Sequence, residues 1–288
     1  MNAVVFDGNA YAAEKERELR ELVAKLGRPL KLVSVVIGDD PASHLYVRLK
    51  GEAAQRMGIQ FDKVEWHIAH STWHIDQLVE KIRVFNADPT VTGVMVQLPL
   101  PLEIRERTVE VLDAIEPKKD VDGLTSTNLR LIQEGEPRVL PATVKAVVSI
   151  LESVISNRQS VISEYLTGKN VVVVGRSRVL GQPLAAELRR LGGEVTVAHT
   201  QTPDLKSVTR EAEVLVSATG KAGLITGEMV RDGAVVIDVG EPKGDVEFAS
   251  VKEKASFITP VPGGVGPMTV VSLLENVVEA AAATYHKS

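Results

Sequence analysis

The sequence predicts an α/β protein of two domains. Three observations carry that reading. Helical and strand-like segments alternate along the whole chain, as in proteins built on parallel sheets. At 288 residues the chain is longer than one hydrophobic core usually serves. Several strand-like segments are near-continuous runs of Val, Ile and Leu, as in strands covered on both faces.

The elements follow in order. Residues 10–26 are rich in Ala, Glu, Lys, Arg and Leu and predict a helix. Residues 30–37 predict a buried strand, and Pro41 opens a helix with Asp40 as its N-cap. Then come a strand at 59–68, a helix at 75–85, a strand at 91–97, a helix at 103–115 and a polar loop at 116–127. Residues 140–145 enter a second unit, with Thr143 capping a helix that runs to about residue 155 and 157–166 as a connection. There the alternation tightens: strand 170–174, helix 180–191, strand 194–198, a short helix, and strands 214–218 and 234–239. A last helix runs from near Pro267 to about Tyr285. The chain has no low-complexity segment and no repeat of solenoid period.

Composition narrows the partners. The net charge is -5 and no large basic run occurs, so nucleic acid is not an expected partner. The chain has no cysteine, which excludes disulfides, thiolate catalysis and cysteine metal sites and fits a reducing compartment. Residues 1–10 lack a basic segment followed by an apolar one, and apolar runs such as 171–174 are too short to span a bilayer. A cytoplasmic protein without membrane segments is therefore expected. His67, His70 and His74 straddle a strand end and a helix start without a cysteine or paired carboxylate, so no metal site is expected.

Two regions carry chemistry. In the second unit, strand 170–174 runs into Gly175-Arg176-Ser177 and then Gly181, where the next helix starts. Small residues there let a pyrophosphate approach backbone amides at a helix N-terminus, although a tight turn would also require glycine. Strand 194–198 ends in His199 and Thr200 rather than in the acid that binds the ribose of NAD. A hydroxyl with Arg176 accepts a 2′-phosphate, so NADP is favoured. In the first unit, Ser43, Tyr46 and Lys50 share one helical face, a pattern of acid/base chemistry or of a surface helix with an exposed lysine. Gln97 sits at the C-terminal end of a strand, before Pro99 and Pro101, where parallel-sheet enzymes keep their ligands. Asp122 lies in the turn Lys119-Asp120-Val121-Asp122-Gly123. That turn is no calcium loop, because the twelfth position counted from Asp120 is Leu131.

Together with Pro260-Val-Pro-Gly-Gly-Val-Gly-Pro-Met-Thr269, these motifs resemble the bifunctional methylenetetrahydrofolate dehydrogenase/methenyltetrahydrofolate cyclohydrolase family over nearly the whole chain. The resemblance implies a catalytic, folate-binding domain at 1–140, joined by the C-terminal helix at 268–288. It implies a Rossmann-type NADP-binding domain at 141–267, with folate in the cleft between the domains, and a homodimer. It assigns Lys50 as general acid/base, Tyr46 to stacking on the folate and positioning Lys50, Gln97 to tuning Lys50, and Asp122 to the pterin edge. Pro262, Gly263 and Gly264 would line the substrate. Gly175, Arg176, Ser177, Gly181, His199, Thr200, Gly240, Glu241 and Thr269 would contact the cofactor. The implied reaction oxidises 5,10-methylenetetrahydrofolate with NADP and hydrolyses the methenyl product to 10-formyltetrahydrofolate, in one-carbon metabolism and purine biosynthesis. The alternatives are a monofunctional dehydrogenase or a non-catalytic folate- or dinucleotide-binding protein. A short-chain dehydrogenase also carries Tyr-x-x-x-Lys, but there the glycine-rich turn precedes the tyrosine.

Four segments depart from the family pattern. The domain junction reads Pro141-Ala142-Thr143-Val144 where Pro-Cys-Thr-Pro is usual, and Leu124-Thr125-Ser126 replaces an aromatic, His and Pro. Ala198-His199-Thr200 replaces Cys-His-Ser. After Gly240, Glu241 and Pro242 stand where an aliphatic residue and Asn are usual, which places an acid beside the expected nicotinamide site.

Overall fold

A computed structural model describes residues 3–67, 74–155 and 161–285. Ile68, His70 and residues 157–160, which enter the readings above, lie outside them. In chain order the elements begin β1 (Val4–Val5), α1 (Gly8–Leu26), β2 (Lys31–Ile37), α2 (Pro41–Met57), β3 (Gln60–Trp66), α3 (His74–Ala87) and β4 (Gly93–Val96). A 3-10 turn (Leu102–Arg107), α4 (Thr108–Asp113), α5 (Ser126–Gln133), α6 (Ala142–Ile155) and α7 (Ile162–Leu166) follow. The rest is β5 (Asn170–Val174), α8 (Gly181–Arg190), β6 (Glu194–Ala198), α9 (Leu205–Arg210), β7 (Val214–Ser217), β8 (Val235–Asp238), α10 (Phe248–Lys252), β9 (Phe257–Ile258) and α11 (Val265–Tyr285), with a short 3-10 turn at Gly227–Met229.

The chain divides into two compact units. One comprises residues 13–131, 137–142 and 270–288, and holds a parallel three-stranded sheet in the order β3-β2-β4. Its central strand β2 is buried almost throughout, which its Leu-Val-Ser-Val-Val-Ile run permits. Helix α2 starts as its sequence dictates. The Asp40 side chain accepts the Ser43 N–H, Pro41 opens the first turn, and Gly58 at φ 80° closes the C-terminus by donating to Ala54 and Gln55.

The other unit comprises residues up to 12, 132–136 and 143–269. Its six parallel strands run β1-β9-β8-β7-β5-β6. Val172, Val174, Leu215, Val236 and Ile258 build the core on one face of this sheet. The sequence places residues 3–12 with the first unit; the structure places them here. Val4 and Phe6 donate to Ser256 and Ile258 in extending the sheet, and the Phe6 ring packs on Phe257. A two-residue strand is too short to show a period, so β1 and β9 leave no pattern in the sequence.

Other boundaries move as well. The predicted helix at 103–115 is a 3-10 turn followed by α4. Thr143 is not a cap but the second residue of α6, since the helix begins at Ala142. Helices α5, α7 and α10, of 8, 5 and 5 residues, fall in segments whose sequence predicts a loop or no regular element. Within α11, Val265–Ala283 is long and apolar enough to cross a membrane, but 61% of that stretch is buried inside the protein, as in a core helix.

Candidate active site

The first group of site residues lies at the C-terminal ends of β2 and β4. Gln97 follows β4, and its N–H extends the ladder by donating to Val35 O at 2.8 Å. Its side chain is therefore held by backbone pairing. Lys50 is on α2 and only 7% exposed, and its Nζ donates to Gln97 Oε1 at 2.9 Å. Gln97 in turn donates from Nε2 to Leu98 O at 2.6 Å, which fixes the amide with its oxygen toward the lysine. A charged donor on a neutral, oriented acceptor keeps the ammonium in place without neutralising it. Tyr46, one turn earlier on α2, is half-buried.

Asp122 joins this group through its loop. Val94 N donates to Lys119 O at 2.7 Å, so the loop backbone continues the sheet beside β4. Lys119 is buried and donates to Phe85 O at 3.1 Å and Asp88 O at 2.6 Å, at the end of α3. Its desolvation lowers the lysine pKa. Asp120 accepts from Gly123 N at 2.9 Å, Thr125 N at 2.8 Å and Asn128 Nδ2 at 2.9 Å, closing the turn from inside. Gly123 has φ 71°, and a Cβ there would lie 2.7 Å from Pro141 N, so only glycine fits. Asn276 on α11 donates to Val121 O and Leu140 O, both at 2.9 Å. Asp122 is thus presented from a turn tied down on every side. Burial pushes its carboxyl above the usual carboxylate value, the Lys50 ammonium pulls it back, and Asp120 adds to the rise. Lys50, Gln97 and Asp122 are one electrostatic group.

The second group belongs to the six-stranded unit. Gly175 ends β5 at φ 145°, and a Cβ on it would come within 2.5 Å of Ala218 O. A Cβ on Gly181 would collide with the Gly175 carbonyl and sit 2.9 Å from Arg176 N. The first turn of α8 and the end of β5 are therefore in backbone contact, a cradle that any side chain would fill. The N-cap of α8, Leu180, makes no side-chain hydrogen bond to the helix, and the Gln182 N–H reaches back to Ser177 O at 3.1 Å, so what the cradle offers a phosphate is space at a helix N-terminus. Ser177 Oγ accepts the Gly181 N–H at 3.3 Å. Arg176 is exposed and reaches Gln201 Oε1 at 3.4 Å, in the turn after β6 that also holds His199 and Thr200. That turn is closed by His199 N on Thr202 Oγ1 at 2.8 Å. The arginine and the hydroxyl read from sequence thus share one rim.

At the ends of β7 and β8 the loops are tied by two buried carboxylates. Asp238 accepts from Gly240 N, Asp245 N and Val246 N at 2.9, 3.0 and 2.9 Å. Asp245 accepts from Ser217 Oγ at 2.9 Å and Thr219 N at 2.6 Å. Burial pushes the Asp238 carboxyl up to about 6 against those three hydrogen bonds. Gly240 is buried above Asp245, while Glu241 and Pro262 are exposed.

Comparison with known proteins agrees with both halves. Residues 6–122 match the tetrahydrofolate dehydrogenase/cyclohydrolase catalytic domain, and residues 141–285 match the NAD(P)-binding domain of the same family. The chain belongs to the tetrahydrofolate dehydrogenase/cyclohydrolase family. A bifunctional protein FolD from Geobacillus thermodenitrificans is 44% identical over 291 residues, covering 98% of each chain. The fold is similar to a Trypanosoma brucei methylenetetrahydrofolate dehydrogenase-cyclohydrolase solved with NADP and an inhibitor, at TM-score 0.89 and 36% identity over 99% of each chain. It is also similar to the Campylobacter jejuni enzyme, at TM-score 0.88 and 35% identity over 98% of this chain and 99% of that one.

The motifs name candidate ligand-facing residues but do not single out the buried residues that hold their loops. Lys119, Asp120, Asn128, Asn276, Asp238 and Asp245 are all buried and bonded to loop backbone. A local signal existed for Asp120, since Asp in a turn ending in Gly commonly caps its own backbone. Asn276 carries no such signal, because its partners are more than 130 residues away. Among the described residues, no group of three or more His, Cys, Asp or Glu is placed to hold a metal ion.

Proposed function

We infer that the chain is an NADP-dependent methylenetetrahydrofolate dehydrogenase that also hydrolyses the methenyl product to 10-formyltetrahydrofolate, in one-carbon metabolism. The observation that carries the reading is the Lys50–Gln97 pair at 2.9 Å beside Asp122. NADP, when bound, supplies the hydride acceptor. The Gly175–Gly181 cradle holds its phosphates, and Arg176 with Thr200 accepts the 2′-phosphate.

Asp122 binds the amino-pyrimidine edge of the pterin, where a carboxylate accepts two donors. Tyr46 packs on the ring system. Oxidation of the methylene carbon leaves a cation that the two flanking nitrogens stabilise, so this step needs positioning more than proton transfer. Hydrolysis differs. Water adds to the methenyl carbon and loses a proton; the ring nitrogen then takes a proton as its bond to carbon breaks, and the hydroxyl oxygen gives up its own to become the formyl carbonyl, so one proton is released overall. Lys50 is the group placed to carry these protons, with Gln97 fixing where its Nζ stands.

A homodimer, a cytoplasmic location and a supply role for purine biosynthesis belong to the same reading. They are supported by the family resemblance and, for the location, by a chain without cysteine. The function is tested by following methenyltetrahydrofolate absorbance with methylenetetrahydrofolate and either NADP or NAD. The signal rises with NADP and then decays as the product is hydrolysed. A signal that rises without enzymatic decay identifies a monofunctional dehydrogenase, and no signal with either cofactor overturns the reading.

A further inference from the structure

Glu241 is the residue at which the cofactor loops depart most sharply in chemistry from the family pattern, and the structure gives its carboxylate a definite place. The residue follows Gly240 at the end of β8 and is exposed. Its Oε1 lies 2.5 Å from the point where a Cβ on Gly266 would stand. The carboxylate therefore packs on the bare Cα of the second residue of α11. That first turn has no acidic residue of its own. Its N–H groups lack intrahelical partners, and the helix dipole makes the end electropositive.

The two segments so joined are both compact. On one side, Asp238 fixes Gly240 N and the returning Asp245 and Val246 amides. On the other, Gly8 donates to Gly263 O at 2.9 Å, and a Cβ on Gly264 would come within 2.5 Å of Pro260 O. The two segments already meet where Asp238 N donates to Thr259 Oγ1 at 2.8 Å and where Gly244 lies against Val261; Glu241 adds a charged contact at the helix end.

We propose that Glu241 is a positioning residue, whose carboxylate clasps the first turn of α11 and holds the loop after β8 against the 260–264 turn. This rests on the reading of the six-stranded unit as the NADP site, with these two segments at its nicotinamide end. Loops held in register before binding cost less order when the cofactor arrives. The clasp is exposed, so its contribution is electrostatic and screened by salt.

The test is fluorescence titration of NADP into the parent and into Glu241→Ala, Glu241→Gln, Gly266→Ala and the double variant Glu241→Ala/Gly266→Ala. At low salt, Glu241→Ala and Glu241→Gln bind NADP roughly two- to five-fold more weakly, the range of a charge at a helix terminus. Between about 10 mM and about 1 M salt, where the Debye length falls from roughly 30 to 3 Å, the difference between parent and variants closes. A side chain acting by shape alone would keep that difference at all salt concentrations. Gly266→Ala displaces the carboxylate and weakens binding similarly, and the double variant is no weaker than either single one. Equal affinity of parent and Glu241→Ala, a difference that persists at high salt, or independent effects in the double variant would each overturn the proposal. A parent that binds no NADP overturns the cofactor reading instead.

Discussion

Replacing Lys50 by Met separates the two reactions. Methionine keeps most of the side chain's reach and removes the proton site. The structural cost is modest. The variant loses a charged hydrogen bond to Gln97 Oε1, worth about 1.5–3 kcal/mol net, and leaves that oxygen short of a donor. Against this, Lys50 is only 7% exposed, so the variant no longer buries an ammonium, which offsets part of the loss. The catalytic cost is larger. Loss of general acid/base transfer lowers the hydrolytic rate by about 10²–10⁴-fold, or roughly 3–5 kcal/mol of barrier. Hydride transfer moves no proton and remains measurable. A second effect follows from the Coulomb pull on Asp122. Without the ammonium, the already raised Asp122 carboxyl rises further, so folate binding weakens at a higher pH on acidification than in the parent. The decay of methenyltetrahydrofolate absorbance measures the first effect, and folate affinity against pH measures the second. A Lys50→Met protein that hydrolyses methenyltetrahydrofolate at the parent rate would refute the assignment.

Three further outcomes are expected. Asp122→Ala removes a pair of charge-assisted hydrogen bonds to the pterin and weakens folate binding by about 2–4 kcal/mol, depressing both activities; unchanged affinity by calorimetry rejects that role. Arg176→Ala lowers efficiency with NADP far more than with NAD, because only NADP carries the 2′-phosphate, and equal losses in steady-state kinetics count against the assignment. The Asp238 carboxyl is raised to about 6, so the folded state holds its proton while the unfolded chain releases it near pH 4. This group therefore stabilises the fold below pH 4 and loses that stabilisation as the pH rises to about 6, by up to about 3 kcal/mol. Asp238→Asn removes that dependence, and identical slopes of unfolding free energy against pH in parent and variant would exclude it.

Legibility in the sequence follows the range of the interaction. Helix α2 is specified by neighbours in sequence, with Asp40, Pro41 and Gly58 supplying its start and stop, so its reading needs no distant partner. Strand β5 is four consecutive valines after Asn170, a run that suits the doubly covered interior of a parallel sheet. β1 and β9 are two residues each and exist because each pairs with a strand far away in sequence. The same contrast runs through the site. Tyr46, Lys50 and Gln97 stand in recognisable motifs, whereas the contact between Lys50 and Gln97 spans 47 residues and is set by the pairing of β2 with β4. Thr125 departs from the family pattern yet still serves the fold, because its Oγ1 accepts the Asn128 N–H at 3.3 Å in the first turn of α5.

The two units reach the same solution with different residues. In each, loops leave the C-terminal ends of parallel strands, where the ladder no longer supplies backbone partners. Such a loop must find other acceptors for its N–H groups or stay mobile, and a mobile loop cannot fix a catalytic side chain. Asp120 takes two backbone N–H groups and an amide in one unit; Asp238 takes three backbone N–H groups in the other. A buried carboxylate suits this role because its two oxygens accept from several directions at once. The cost is a carboxyl driven upward by desolvation, visible at Asp238. At Asp122 the same upward pressure falls on the residue proposed to bind the pterin, and there Lys50 counters it in part. On the proposed reading Lys50 therefore does two things from one position: it carries protons in the hydrolytic step and opposes the rise of the Asp122 carboxyl.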